Sequence, residues 1–186
     1  AWTFMSRNDY EKNLIHIHYS PTAKYSLGYE AAYWRDKKFQ THSLKANSLL
    51  RRWNMEDAQA NAYLKSGIGL AYENDHDFSS HLQPHAFTGL FLDWENRKYF
   101  TQYGNSYHYA NGINKEFSQF VTMGLAPYVG EYGDLHTWFM LRIDHHPEDQ
   151  DDIVLVPHLR FFKDQYLFEI GYSDNDEFLV NMIIRF

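Results

Sequence analysis

The stretch "EFLVNMIIRF", residues 177 to 186, decides how the rest of the chain is read. Phe178, Val180, Met182, Ile184 and Phe186 share one parity, whereas Asn181 and Arg185 fall on the other. Strict alternation of this kind is the mark of a β-strand with one apolar face. The direction in which that apolar face points, toward a core or away from one, separates the possible architectures.

Working outward, the same two-residue period recurs about every 15 residues, in segments separated by clusters of Asp, Asn, Lys, Gly and Pro. The segments are 2–7, 13–20, 24–34, 39–53, 58–73, 85–94, 98–110, 117–130, 135–144, 153–162, 165–172 and 178–186, which makes twelve predicted strands. Residues 2–7, "WTFMSR", form the shortest of them and could also be a loose end. No repeat or linker interrupts the series, so the 186 residues form a single domain, 1–186. That length suffices for one core or one barrel. The links after even strands ("PTA", "NMED", "ENR", "EYGD", "KD") are mostly tight, whereas those after odd strands, such as "ENDHDFSSHLQP" and "HHPEDQDD", are longer and more acidic.

Composition excludes several classes. Aromatics reach 18% while mean hydropathy is only -0.59, so apolar and polar groups are finely interleaved. No apolar run approaches the roughly 18 residues of a membrane-spanning helix. Cysteine is absent, which removes disulfides, thiolate metal sites and Cys nucleophiles. A net charge of -7 without any Lys/Arg cluster argues against a nucleic-acid partner.

The interleaving is orderly. Strand 165–172 sets Tyr166, Phe168, Ile170 and Tyr172 against Leu167, Glu169 and Gly171, and strand 135–144 sets Phe139, Leu141 and Ile143 against Arg142 and Asp144. Sorted in this way, the polar face carries His16, His18, Glu30, Lys45, Arg51, Lys65, Asp93, Arg142, Asp144, His158, Arg160, Glu169 and Arg185, together with Asn47, Asn61, Gln102 and Asn181. A soluble ligand-binding barrel would turn the apolar face inward. Two features favour the inverse. Tyr19, Tyr25, Trp94, Tyr99, Tyr128 and Tyr166 crown the apolar face near the short turns, and Tyr33, Tyr72, Tyr107, Tyr109 and Tyr172 crown it near the long links. Lipid-facing barrels place aromatic girdles there. The apolar face also carries small residues such as Ala46, Ala60, Ala62, Thr88 and Thr101, which lipid tolerates and a close-packed core would not.

In these features the chain resembles bacterial outer-membrane β-barrels as a class. The terminal strand closing on Phe186 looks like the signal such proteins present to the barrel-assembly machinery. The resemblance implies an all-β, antiparallel up-and-down transmembrane β-barrel of about 12 strands in the bacterial outer membrane, with termini on the periplasmic side. It also implies outer-membrane lipid and lipopolysaccharide as surroundings, and it leaves room for an envelope protein partner.

The long links carry Asp75, His76, Asp77, His81 and His85 in one cluster and His145 and His146 in another. Imidazole and carboxylate together suit divalent metals, so Zn, Cu or Ca is the cofactor expected of them, although no ligand spacing matches a defined motif. A charged lumen beneath an acidic rim predicts a narrow, cation-favouring channel or the outer-membrane accessory of a metal-ion handling system. Ser106 and His108 share a face and supply a hydroxyl and an imidazole, so a lipid-modifying hydrolase or acyltransferase is the enzymatic alternative.

Overall fold

The computed structural model describes residues 1–74, 82–149 and 153–186. The alternating segments form twelve strands: β1 (Trp2–Asn8), β2 (Lys12–Thr22), β3 (Tyr25–Trp34), β4 (Phe39–Asn54), β5 (Ala58–Glu73), β6 (Gln83–Asn96), β7 (Tyr99–Ala110), β8 (Asn114–Leu125), β9 (His136–His145), β10 (Ile153–Lys163), β11 (Tyr166–Tyr172) and β12 (Phe178–Arg185). Each pairs antiparallel with its sequence neighbours, and β1 pairs with β12, so the sheet is a closed barrel. At the seam Trp2 and Phe186 exchange backbone hydrogen bonds of 2.7 and 2.9 Å. Closure leaves no edge with free N–H and C=O groups, which a hydrocarbon surrounding requires. The short segment at residues 2–7 is therefore a full wall strand.

Two expectations need correction. The eighth strand begins at Asn114, earlier than the sequence pattern suggests, and ends at Leu125. Residues 126–135, which hold Pro127, Gly130 and Gly133, form a long link at the end of the barrel that carries the termini. Pro and Gly stop the ladder there although the segment reads as apolar. All the other links at that end are tight, which marks it as the periplasmic end.

The second correction concerns parity. The β4–β5 register slips between Leu49 and Arg51, so that Arg51 pairs with Ala62 and Arg52 pairs with Asn61. A bulge inserts one residue and exchanges the faces beyond it. Arg51 therefore points outward, its guanidinium 5.1 Å from the centre of the exposed Trp53 ring, while Arg52 takes the inward place and donates to Asn61 Oδ1 at 2.7 Å.

The faces settle the inside-or-outside question. Leu27, Leu44, Ile68, Phe139 and Phe178 are between 53% and 69% exposed around the outer surface, while His16, Glu30, Asp144, Glu169 and Asn181 are each 6% exposed or less inside. A sleeve of that size is not stable against water and a soluble barrel would bury it. The molecule is a transmembrane β-barrel with a polar lumen. Exposed Trp2, Tyr19, Tyr25, Tyr99 and Tyr166 ring one end, and Tyr107 and Tyr172 lie toward the other.

Candidate functional site

The lumen has a charged middle and a constricted outer end. In the middle, Glu30, Asp144 and Glu169 each have a cation on their own or an adjacent strand, while Asp93 on β6 accepts from Asn61 Nδ2 at 2.8 Å. Lys45 Nζ on β4 lies 2.5 Å from Glu30 Oε2 on β3, and Arg142 Nε lies 2.5 Å from Asp144 Oδ1 two residues along β9. Arg160 on β10 pairs across the ladder with Glu169 on β11 at 3.0 Å. Glu169 also meets His158 Nε2 at 3.1 Å and accepts from Asn181 Nδ2 at 3.2 Å. Among the described residues further inward cations have no carboxylate within ion-pair distance, including Arg7 on β1, exposed to the lumen, Arg52 on β4, Lys65 on β5 and Arg185 on β12.

Aromatic rings lie flat along this wall, several beneath a cation. Lys65 Nζ is 4.0 Å from the Phe91 ring centre, Arg142 is 4.6 Å from Phe120, and Arg160 is 4.9 Å from Phe100. Glycine makes the flat arrangement possible. A Cβ at Gly67 would run into Phe87 Cε1, and one at Gly104 would come within 2.5 Å of Phe120 Cε1 and 2.8 Å of Phe91 Cδ1. Rings that cover the backbone in this way leave space along the axis that upright rings would fill.

Toward the outer end the wall turns apolar. Leu14, Ala32, Trp34, Phe39, Ala71 and Ala110 form one buried cluster, and Val154, Val156 and Leu179 form a second against Tyr10. Trp34 stacks on Phe39 with centroids 5.4 Å apart, donates to Thr41 Oγ1 at 3.2 Å and meets the His108 ring edge-on at 4.9 Å. The β1–β2 link (residues 9–11) folds inward as well. Tyr10 donates its hydroxyl proton to Asp144 Oδ2 at 2.7 Å and also lies 2.7 Å from His146 Nε2. From the β3–β4 link (residues 35–38), Lys37 reaches Asn114 Oδ1 at 2.6 Å, and Arg35 pairs with Glu177 at 3.3 Å. A cavity of about 250 Å³ remains at the mouth, lined by Tyr10, Glu11, Trp34, Phe39, Glu116 and His146 among others.

The groups of this vestibule hold unusual protons. Burial raises the Glu11 carboxyl above its ordinary value, against the nearby Lys12 charge. Burial also raises the Tyr10 phenol, and the Asp144 carboxylate adds to the effect. At His146 burial disfavours the charged ring, but the hydrogen bond to Glu116 and the charges of Glu11 and Asp144 outweigh it and raise the value.

Of the polar face expected from the sequence, His16, His18, Glu30, Lys45, Lys65, Asp93, Arg142, Asp144, His158, Arg160, Glu169 and Arg185 sit at inward register positions. Arg51 does not, and Arg7 and Arg52 join the set. Of the expected metal-binding histidines, the described ones, His85, His145 and His146, keep their side chains apart from one another. His85 bonds Ser43 Oγ at 2.8 Å inside the wall, His145 meets Gln119 at 2.9 Å on the opposite face from His146, and Asp75, His76, Asp77 and His81 lie outside the described residues. Instead, His146 gathers with Glu11 and Glu116, two residues that sequence reasoning had left out. The enzymatic pairing does not form either: Ser106 Oγ faces Ser118 Oγ at 3.4 Å, and His108 contacts Trp34, His85 and Phe87.

No family model matches the chain. No curated protein matches it either. Among solved structures it is similar to a KdgM porin (9% identity, 99% of each chain, TM-score 0.58). It is also similar to a KdgM porin in complex with disordered oligogalacturonate (10% identity, 100% of this chain and 98% of that one, TM-score 0.59). At such identities the likeness is one of fold. Together with the lipid-facing sleeve and polar lumen, it makes this chain a small, porin-like outer-membrane β-barrel.

Proposed function

We propose that this porin-like barrel is a narrow channel for small anionic solutes, with short acidic sugars as the class that suits its lumen best. One observation carries the reading: Arg7 and Lys65 face the middle of the lumen without a carboxylate partner, whereas Glu30, Asp144 and Glu169 are each engaged by a cation. Even with Asp93 and Glu95, which have no cation partner among the described residues, the inward cations below the vestibule, Arg7, Lys45, Arg52, Lys65, Arg142, Arg160 and Arg185, outnumber the inward carboxylates Glu30, Asp93, Glu95, Asp144 and Glu169, and rings of Arg and Lys favour anions in pores. This reading has the opposite sign to the cation-favouring channel expected from a charged lumen beneath an acidic rim. Of the described acidic residues, Asp9, Glu11, Asp36, Glu148, Asp149, Asp174, Asp176 and Glu177 lie in the outer links, and Glu56, Asp57, Glu131, Asp134 and Asp164 in the links at the opposite end, away from the mid-lumen wall.

The flat rings of Phe91, Phe100 and Phe120 support a sugar as the solute, because an apolar ring beside a cation offers a surface for the sugar face and a partner for its carboxylate. One of the fold neighbours is a KdgM porin in complex with oligogalacturonate, a polyanion of that chemical type. The test is osmotic swelling of liposomes carrying the refolded protein, with glucuronate and glucose as solutes of nearly equal size. Faster entry of glucuronate, lost in Lys65→Glu and Arg7→Glu, supports the reading. Equal or slower entry of the acid would remove it.

A further inference from the structure

We propose that Glu11, Glu116 and His146 form a binding site for one divalent transition-metal ion of the zinc class in the outer vestibule, independent of what the lumen conducts. The three side chains come from three different elements: the β1–β2 link, β8 and the β9–β10 link. One ligand atom from each lies within 4.8 Å of the others. Glu116 and His146 are buried at 7% and 5% exposure, which separates them from a chance surface cluster.

Proton bookkeeping points to a cation. The single hydroxyl proton of Tyr10 goes to Asp144 Oδ2, so His146 Nε2 must be the donor toward Tyr10 Oη. In the neutral ring the Nδ1 lone pair then faces Glu116 Oε1 at 3.2 Å, two acceptors at contact distance. Something positive has to lie between them, either a proton on Nδ1 or a metal ion. The separation is that of a hydrogen bond and also matches the edge, about 3.3 Å, of a tetrahedron with bonds of about 2.0–2.1 Å, so a metal ion can take the place of the proton without the two groups moving. The Glu11 carboxylate has no hydrogen bond or ion pair among the described residues and is free to complete the set. Lys37, 3.8 Å from Glu116 Oε2 and 43% exposed at its side chain, can withdraw into solvent when a cation enters.

The chain His146–Tyr10–Asp144–Arg142 is the outer support such a site requires. A metal-ligating histidine donates its second N–H to a fixed acceptor, which sets the tautomer and aims the free nitrogen. Here that acceptor is Tyr10 Oη, itself held by Asp144, which is in turn held by Arg142 at 2.5 Å. One imidazole and two carboxylates, with a fourth position open to water, is a donor set of borderline hardness that suits zinc. A bound ion would tie the β1–β2 link to the far wall across the mouth of the barrel.

The experiment is titration of the refolded barrel in detergent with Zn(II) against a chromogenic chelator, which needs no conductance. Folding of every variant is checked by its heat-modifiable migration on gels. The expected result is one tightly held zinc per barrel, lost in His146→Ala and in Glu116→Gln and kept in His145→Ala. Tyr10→Phe should weaken it about 10- to 100-fold, as loss of an outer hydrogen-bond partner does elsewhere. If a buried variant does not fold, Glu11→Gln, on the link, serves in its place with the same expected loss. A zinc stoichiometry unchanged in these variants, or an affinity indifferent to Tyr10→Phe, would assign the binding to other loop groups and overturn the site.

Discussion

Trp34 on β3 meets His108 on β7 edge-on with ring centres 4.9 Å apart, although β4, β5 and β6 separate the two strands in the barrel wall. The contact therefore spans the lumen and sets the constriction at its outer end. Trp34→Ala removes the largest side chain there. It is expected to raise single-channel conductance while lowering unfolding free energy by about 3 kcal/mol, the lower end for a buried Trp or Phe truncated to Ala. Unfolding in urea and conductance in bilayers measure the two effects separately; an unchanged conductance would mean that the narrowest point lies elsewhere.

On the proposed anion-channel reading, Lys65 contributes to the field at mid-lumen together with Arg7. Lys65→Gln should reduce anion preference and Lys65→Glu should reduce it further, with little change in conductance, because Lys65 lies flat over Phe91 at 4.0 Å and does not cross the axis. Reversal potentials of the two variants in the same salt gradient give the ordering, and a potential equal to that of the unaltered protein in both would exclude Lys65 from selectivity.

Gly67 and Phe87 test the flat-ring arrangement. In Gly67→Val the new side chain occupies the place of Phe87 Cε1, and the ring must stand up into the lumen. The expected outcome is lower conductance and a loss of about 1–3 kcal/mol in stability, the usual range for an overpacked site. Gly133, whose φ is +88 and whose surroundings are open, serves as the comparison: Gly133→Ala strains only the β8–β9 link and should leave conductance alone.

The bulge in β4 gives a prediction that separates two adjacent residues. Arg52 faces the lumen through Asn61, whereas Arg51 lies outside beside Trp53. Arg52→Glu should shift the reversal potential toward cations and Arg51→Glu should not. The opposite pattern would mean that the bulge is misplaced.

Much of this architecture is legible in the sequence, since a period of two needs no tertiary information. β5 spans Ala58–Glu73, the same residues as its alternating segment, and β12 starts at Phe178 as its pattern does. What local periodicity cannot show is a change of parity inside a strand. Arg51 and Arg52 are both cations in the run "LLRRW", and only the partner strand decides which one turns inward. The β8 boundaries were obscured for a related reason: "NGINKE" has the composition of a turn, yet Asn114 and Glu116 are tied to Lys37 and His146 and so belong to the wall. The vestibule was the least legible. Glu11 and His146 are 135 positions apart, and only barrel closure brings the first link of the chain over β8 and β9.

The most direct test of the channel reading is the reversal potential of the refolded protein in a planar bilayer under a potassium chloride gradient. The account predicts small, steady conductance with a reversal potential displaced toward the chloride equilibrium potential, and less displaced as salt screens Arg7 and Lys65. Displacement toward potassium, or a folded barrel that does not conduct, would contradict it.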